Sequence, residues 1–131
     1  MAVELMILAW GMVLLLVHIF AAVQVKTQQY GTKWNMGARD ESLPPLGALG
    51  GRLSRAQANF METLPIAIVA LIGVVVAGRT SDMTALGGWI WLGARAAYLP
   101  VYGLGIPMIR TLIFLASLIG IGMVLWPLLS I

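Results

Sequence analysis

Cysteine is absent from all 131 residues. Disulfides, a cysteine nucleophile and thiolate-bound metal are therefore excluded, and any sulfur chemistry must use a sulfur carried by a ligand. Charge is almost as scarce. Eight Lys or Arg, five Asp or Glu and one His leave 10% of the chain charged, with a formal net charge of +3. Soluble domains carry about 25% charged and about 45–50% apolar residues; here the apolar share is 60% and the mean hydropathy +0.94. The pI near 9.8 does not make a nucleic-acid binder. The basic residues stand singly, without a patch or an aromatic–basic interleave. Residues 1–131 form one domain, and no internal repeat or low-complexity segment breaks them.

What is present is apolar sequence in four runs, about 3–25, 53–78, 84–102 and 107–129. Each is near the roughly 20 residues needed to cross about 30 Å of hydrocarbon. The first carries only Glu4 where a signal peptide would be positive, and it is longer than a typical apolar core of one, so a retained span is expected. The connections differ in kind. A polar loop over about 26–52 holds Asp40, Glu41, Pro44 and Pro45, a solvated turn rather than a lid. Arg79-Thr80-Ser81-Asp82 is a tight turn in which Ser81 or Asp82 caps the third span. Gly103 to Pro107 is short, and Pro107 is placed to open the fourth. Short connections make neighbours antiparallel, so the expected fold is all-α: an integral membrane four-helix bundle running up-down-up-down.

Basic residues crowd one side: Lys26, Lys33, Arg39, Arg52, Arg55 and Arg110 against Arg79 alone. That bias predicts a cytoplasmic first loop with both termini on the periplasmic side. The compact length and the loop from Arg39 to Pro45 favour a bacterial inner membrane. Small pairs four apart, Gly73/Ala77, Gly93/Ala97 and Ala116/Gly120, permit close helix approach or simply reflect the usual richness of spans in small residues.

The polar residues inside the spans form stripes. Arg52, Arg55, Asn59 and Glu62 are spaced three, four and three apart, within an arc of about 80° at about 100° per residue. Glu62 lies about a turn inside the hydrocarbon boundary, where an ionisable group costs of order 2–3 kcal/mol unless paired or wetted. Arg95, Tyr98 and Tyr102 form a second stripe, with Arg95 the natural partner of Glu62, and Arg110 opens the last span. Singly, Arg52 and Arg55 read as juxtamembrane charges and Glu62–Arg95 as a structural pair. Together they describe a site for a small zwitterionic or anionic ligand: arginine forks for carboxylates and Glu62 for an ammonium. If that ligand bears a thiol, a neighbouring arginine favours its thiolate, the nucleophilic form.

The run Arg52-x-x-Arg55-Ala-x-x-Asn59-x-x-Glu62-x-x-Pro65 resembles the second-helix signature of the MAPEG superfamily, the membrane-associated proteins in eicosanoid and glutathione metabolism. Arg95-x-x-Tyr98-x-x-x-Tyr102 followed by Arg110 resembles its third and fourth helices. The resemblance implies a homotrimer with glutathione as co-substrate between subunits near the cytoplasmic face. Arg52, Arg55, Gln57, Asn59, Glu62, Arg95, Tyr98, Tyr102 and Lys26 would then be glutathione-binding, and Arg110 the catalytic, thiolate-stabilising residue. Thr63 and Phe114 stand where eicosanoid-forming members have tyrosines, so the bacterial-type branch fits better. The implied activity is a membrane-bound glutathione transferase, with or without peroxidase activity, acting on lipophilic electrophiles in detoxification. The alternative is a non-catalytic lipid-binding scaffold of the same family. A small multidrug-type transporter would need an acidic coupling residue in the first span, which offers only terminal Glu4.

Outside the stripes, a lone His18 makes no metal site and is expected as a hydrogen-bonded interior or subunit-interface residue. Trp10, Trp89, Trp91 and Trp126 are expected as interfacial anchors, and the eight methionines as filler. Membrane lipid is the expected surround, with no metal and no nucleic-acid partner.

Overall fold

The protein is described by a computed structural model covering residues 1–130. Five helices account for most of it: α1 Val3–Tyr30, α2 Thr32–Met36, α3 Ala48–Val76, α4 Asp82–Gly103 and α5 Pro107–Leu129. No strand is formed among the described residues. The starts of α4 and α5 follow from local chemistry. Ser81 and Thr84 form a reciprocal capping box, in which the Thr84 amide donates to Ser81 Oγ at 3.3 Å and the Ser81 amide to Thr84 Oγ1 at 2.7 Å. Pro107 opens α5, where its missing N–H leaves no helical bond unmade.

The helices α1, α3 and α5 are long and apolar enough to cross a membrane. The 22-residue α4 is not among them, because Gly87, Gly88, Gly93, Arg95 and Pro100 dilute its apolar content. Large side chains such as Phe20, Val69, Leu112 and Ile119 lie exposed on the outer faces of the other three. Lipid is the solvent that makes such a surface stable.

The core is built from Ile7 and Leu8 of α1, Phe60, Leu64, Ala67, Leu71 and Val74 of α3, Trp91 of α4, and Ile121 and Val124 of α5. The α3 members recur at three- and four-residue intervals, the period that keeps one helical face inward. At the α4–α5 crossing the backbones nearly touch. A Cβ on Gly87 would stand 2.5 Å from the Gly120 carbonyl oxygen, and one on Gly120 would stand 2.6 Å from that of Gly87.

Helices extend further into the polar loop than its composition suggests. Helix α1 continues through Lys26 to Tyr30, and α3 begins at Ala48 rather than near Leu53. Tertiary contacts override local propensity here. Gly50 is buried beside Val25 and Leu46, while the Gln29 side chain accepts from the Gly47 amide at 2.8 Å and donates to the Pro45 carbonyl at 2.9 Å. Tyr30 adds a bond to the Pro44 carbonyl at 2.6 Å. Of that loop only Gly31 and residues 37–47 remain outside helices, and Asp40 and Glu41 are exposed there.

Two expectations need correction. Trp91 is no interfacial anchor: it is 2% exposed and packs its ring against Gly11, where any Cβ would meet it at 2.7 Å. Trp10, Trp89 and Trp126 do lie on the surface. His18 is interior but not hydrogen-bonded. Its ring stacks on Phe60 at 5.0 Å, and neither ring nitrogen has a partner. Phe60 sits one residue beyond Asn59, so the aromatic packing reaches the polar stripe directly.

Candidate functional site

The three polar groups expected from separate helices meet at one end of the molecule, the end that carries the loop 37–47. A cavity of about 250 Å³ is lined by Arg55, Ala58, Asn59 and Glu62 of α3, Tyr98 and Tyr102 of α4, and Arg110 of α5. A second hollow of about 170 Å³ is lined by Arg52, Arg55, Tyr102, Gly105, Pro107 and Arg110. Arg55, Tyr102 and Arg110 belong to both, so the two hollows form one cleft. Glu62 lines only the first hollow and Arg52 only the second, with the Arg55 and Arg110 guanidinium groups shared between them.

Tyr102 is the hub of this cleft. Its hydroxyl accepts a bond from Arg55 Nε at 3.1 Å, and the Arg110 guanidinium lies over its ring at 4.8 Å from the centroid. Cation–π attraction of this kind holds a guanidinium without consuming its N–H donors. Arg110 therefore keeps donors for a ligand. Tyr98 stands edge-on to Tyr102 at 5.4 Å and is 2% exposed, so it floors the cleft rather than entering it.

Arg52 donates from Nη1 to the Gly103 carbonyl at 3.3 Å. It lies against Gly105, whose φ of 75° is the left-handed turn conformation. A Cβ there would come within 2.8 Å of Arg52 Cζ. The glycine thus serves both the turn and the guanidinium beside it.

Arg95 does not pair with Glu62. It is fully buried behind the cleft, and its Nη1 donates to Asn59 Oδ1 at 2.7 Å. The i, i+3 offset of Glu62 from Asn59 leaves the carboxylate exposed on the rim instead. Two further expected site residues lie off the cleft wall: Lys26, half-buried at the end of the apolar part of α1, and Gln57, half-buried on α3 outside the stripe.

Ala58, Gly105 and Pro107 contribute wall that composition could not single out, because such small or rigid residues carry no chemical signal. Glu4, read as a terminal charge, is 2% exposed at the opposite end and accepts the Thr84 hydroxyl at 2.6 Å. No three His, Cys, Asp or Glu side chains gather into a metal-binding group among the described residues. Chemically, the cleft can hold an anion against two or three guanidinium groups and a cation against Glu62. It can also stabilise a developing negative charge beside Arg110.

Compared with known proteins, residues 7–130 match the model of the MAPEG family. No curated protein and no solved structure matches the chain.

Proposed function

Because the chain belongs to the MAPEG family of membrane proteins of eicosanoid and glutathione metabolism, we propose that it is a membrane-bound glutathione transferase acting on lipophilic electrophiles. The observation that carries this reading is the cleft itself, where Arg55, Asn59, Glu62, Tyr98, Tyr102 and Arg110 from three helices surround one cavity. Guanidinium groups at Arg52 and Arg55 suit the two carboxylates of glutathione by fork geometry. Glu62 suits its ammonium, and Asn59 its amide or carboxyl oxygens.

Arg110 is the catalytic residue of the proposal. Its guanidinium favours the thiolate over the thiol and so lowers the thiol pKa. The thiolate sulfur then forms a bond to the electrophilic carbon, and the leaving group departs with the bonding pair. The thiol proton goes to water, and no oxidation state of the protein changes. The acceptor arrives laterally from the bilayer, which α1, α3 and α5 are apolar enough to span; the reading has α4 cross with them as the fourth helix of the bundle. We further assign a homotrimer, in which Lys26 and Gln57 reach the cleft of a neighbouring subunit. The long loop is then cytoplasmic and the membrane a bacterial inner membrane.

Titrating glutathione into purified protein while following thiolate absorbance in the ultraviolet tests the reading. Wild type should generate thiolate signal near neutral pH. Arg110→Ala should lose it and lower the conjugation kcat by about 10²-fold, the usual cost of removing one charge-stabilising donor. Absence of both binding and thiolate signal in wild type would favour the non-catalytic lipid-binding scaffold.

A further inference from the structure

Behind the cleft stands a residue that does not line it. Arg95 is 0% exposed. It lies among three aromatic rings, with Cζ at 4.4 Å from the Tyr98 centroid, 5.1 Å from Phe60 and 5.9 Å from Phe114. Its one hydrogen bond runs from Nη1 to Asn59 Oδ1 at 2.7 Å, while Nε and Nη2 have no partner. A guanidinium has five N–H donors and no acceptor. The atom of Asn59 that faces it can only be the amide oxygen, whatever rotation the amide prefers elsewhere. Asn59 also lines the cleft, and its Nδ2 is not among the sealed, unpartnered atoms.

We propose that Arg95 is a positioning residue, which captures the Asn59 oxygen from behind and so presents the Asn59 NH2 group to the cleft as a fixed donor. The physical logic is one of exclusion. A free asparagine amide offers a ligand either an acceptor or two donors and interconverts by rotation about its last bond. A buried cation held by ring faces, with donors to spare, makes only one of those orientations tolerable, since the reversed amide would oppose N–H to N–H against a fully buried guanidinium. The cleft then recognises an acceptor, a carboxylate or carbonyl oxygen, next to the group that Glu62 receives. Arg95 supports that selection without touching the ligand.

The probe rests on the glutathione reading above; the amide orientation does not. Asn35 and Asn59 are the only asparagines in the chain, so asparagine labelled with 15N gives two side-chain NH2 pairs. Asn35 already donates to Thr27 Oγ1 at 2.7 Å and serves as the internal reference. In full-length wild type, saturating glutathione should shift the Asn59 pair and leave Asn35 unmoved. Asn59→Asp keeps a partner for Arg95, and so the fold, but offers the ligand only oxygens. It should weaken glutathione binding by about tenfold or more, the ordinary scale for losing a hydrogen bond to a charged group. Arg95→Met should broaden or shift the Asn59 pair before any ligand is added and weaken binding to a similar degree, and Arg95→Lys should recover part of the loss.

Wild-type affinity in Asn59→Asp, or an Asn59 pair indifferent to bound glutathione, overturns the proposal. Should Arg95→Met fail to fold, those two results still decide it. A wild type that binds no glutathione removes the transferase reading alone. The unliganded spectra then decide, and an Asn59 pair identical in wild type and in the Arg95 variants overturns the positioning role.

Discussion

Tyr102 joins two cations that would otherwise repel. Arg55 reaches it through the hydroxyl and Arg110 through the ring face, so the two contacts are separable. Tyr102→Phe removes only the Arg55 bond and should raise the KM for glutathione severalfold while leaving kcat close to wild type. Tyr102→Leu also removes the seat of Arg110 and should lower kcat as well. Steady-state kinetics with glutathione varied at fixed acceptor check the split. Glu62 offers a complementary test. Its carboxylate is exposed on the cleft rim, so Glu62→Gln should weaken glutathione binding by about tenfold without loss of thermal stability. Unchanged affinity by calorimetry would remove the ammonium from that position.

Much at this scale was legible in the residues. The stripe spacing of Arg55, Asn59 and Glu62 predicts a shared face, and all three line one cavity. Hydrogen-bond partners were not legible. Periodicity says that Arg95 and Glu62 lie at similar depth, but not that Asn59, one turn earlier, is nearer and intercepts the guanidinium. His18 escaped for the same reason, since stacking on Phe60 satisfies a ring face rather than its nitrogens.

Among the elements, α4 is the one that sequence describes least well. It carries the second polar stripe, two tryptophans on opposite sides of the burial boundary, and one side of the near-touching crossing with α5. That crossing depends on glycine at Gly87 and Gly120, each facing the other's backbone oxygen. A flexible neighbour could yield to an added side chain, but a carbonyl oxygen held in a helix cannot. Gly87→Val should therefore force α4 and α5 apart and destabilise the protein by about 1–3 kcal/mol, the cost typical of overpacking. A lower midpoint in thermal unfolding in detergent measures it. Of the small pairs singled out by spacing, Ala116/Gly120 contributes to this contact through Gly120, whereas a Cβ on Gly93 would meet nothing within 4 Å. Spacing identifies where close approach is permitted; only the fold decides where it is used. The boundaries of α1 and α3 make the same point, because Gln29 and Val25 extend helix into a stretch of glycine and polar residues that propensity alone would leave as loop.

The whole molecule is electrically lopsided, and the two ends use their charges differently. At the end opposite the cleft, Arg79 is spent on backbone: its Nη1 donates to the Pro127 carbonyl at 2.6 Å and also to that of Ser130, closing the C-terminal turn of α5. Glu4 there is bound by Thr84. At the cleft end, Lys33 and Arg39 lie exposed on the loop side, and Arg55 and Arg110 face the cavity. Basic residues are thus concentrated on one side, which is the physical basis for proposing that this side stays in the cytoplasm. The lack of cysteine makes the test clean, because one introduced thiol is the only reactive one. Ser42→Cys, in the exposed loop, should be labelled in intact expressing cells by a membrane-permeant maleimide but not by an impermeant one. Ala2→Cys, ahead of α1, should react with both. The reverse pattern would put the cleft, and any glutathione it takes, on the outer side. The placement of glutathione near the cytoplasmic face, which the family resemblance implies, would then fail, even though every contact within the cleft remained as described.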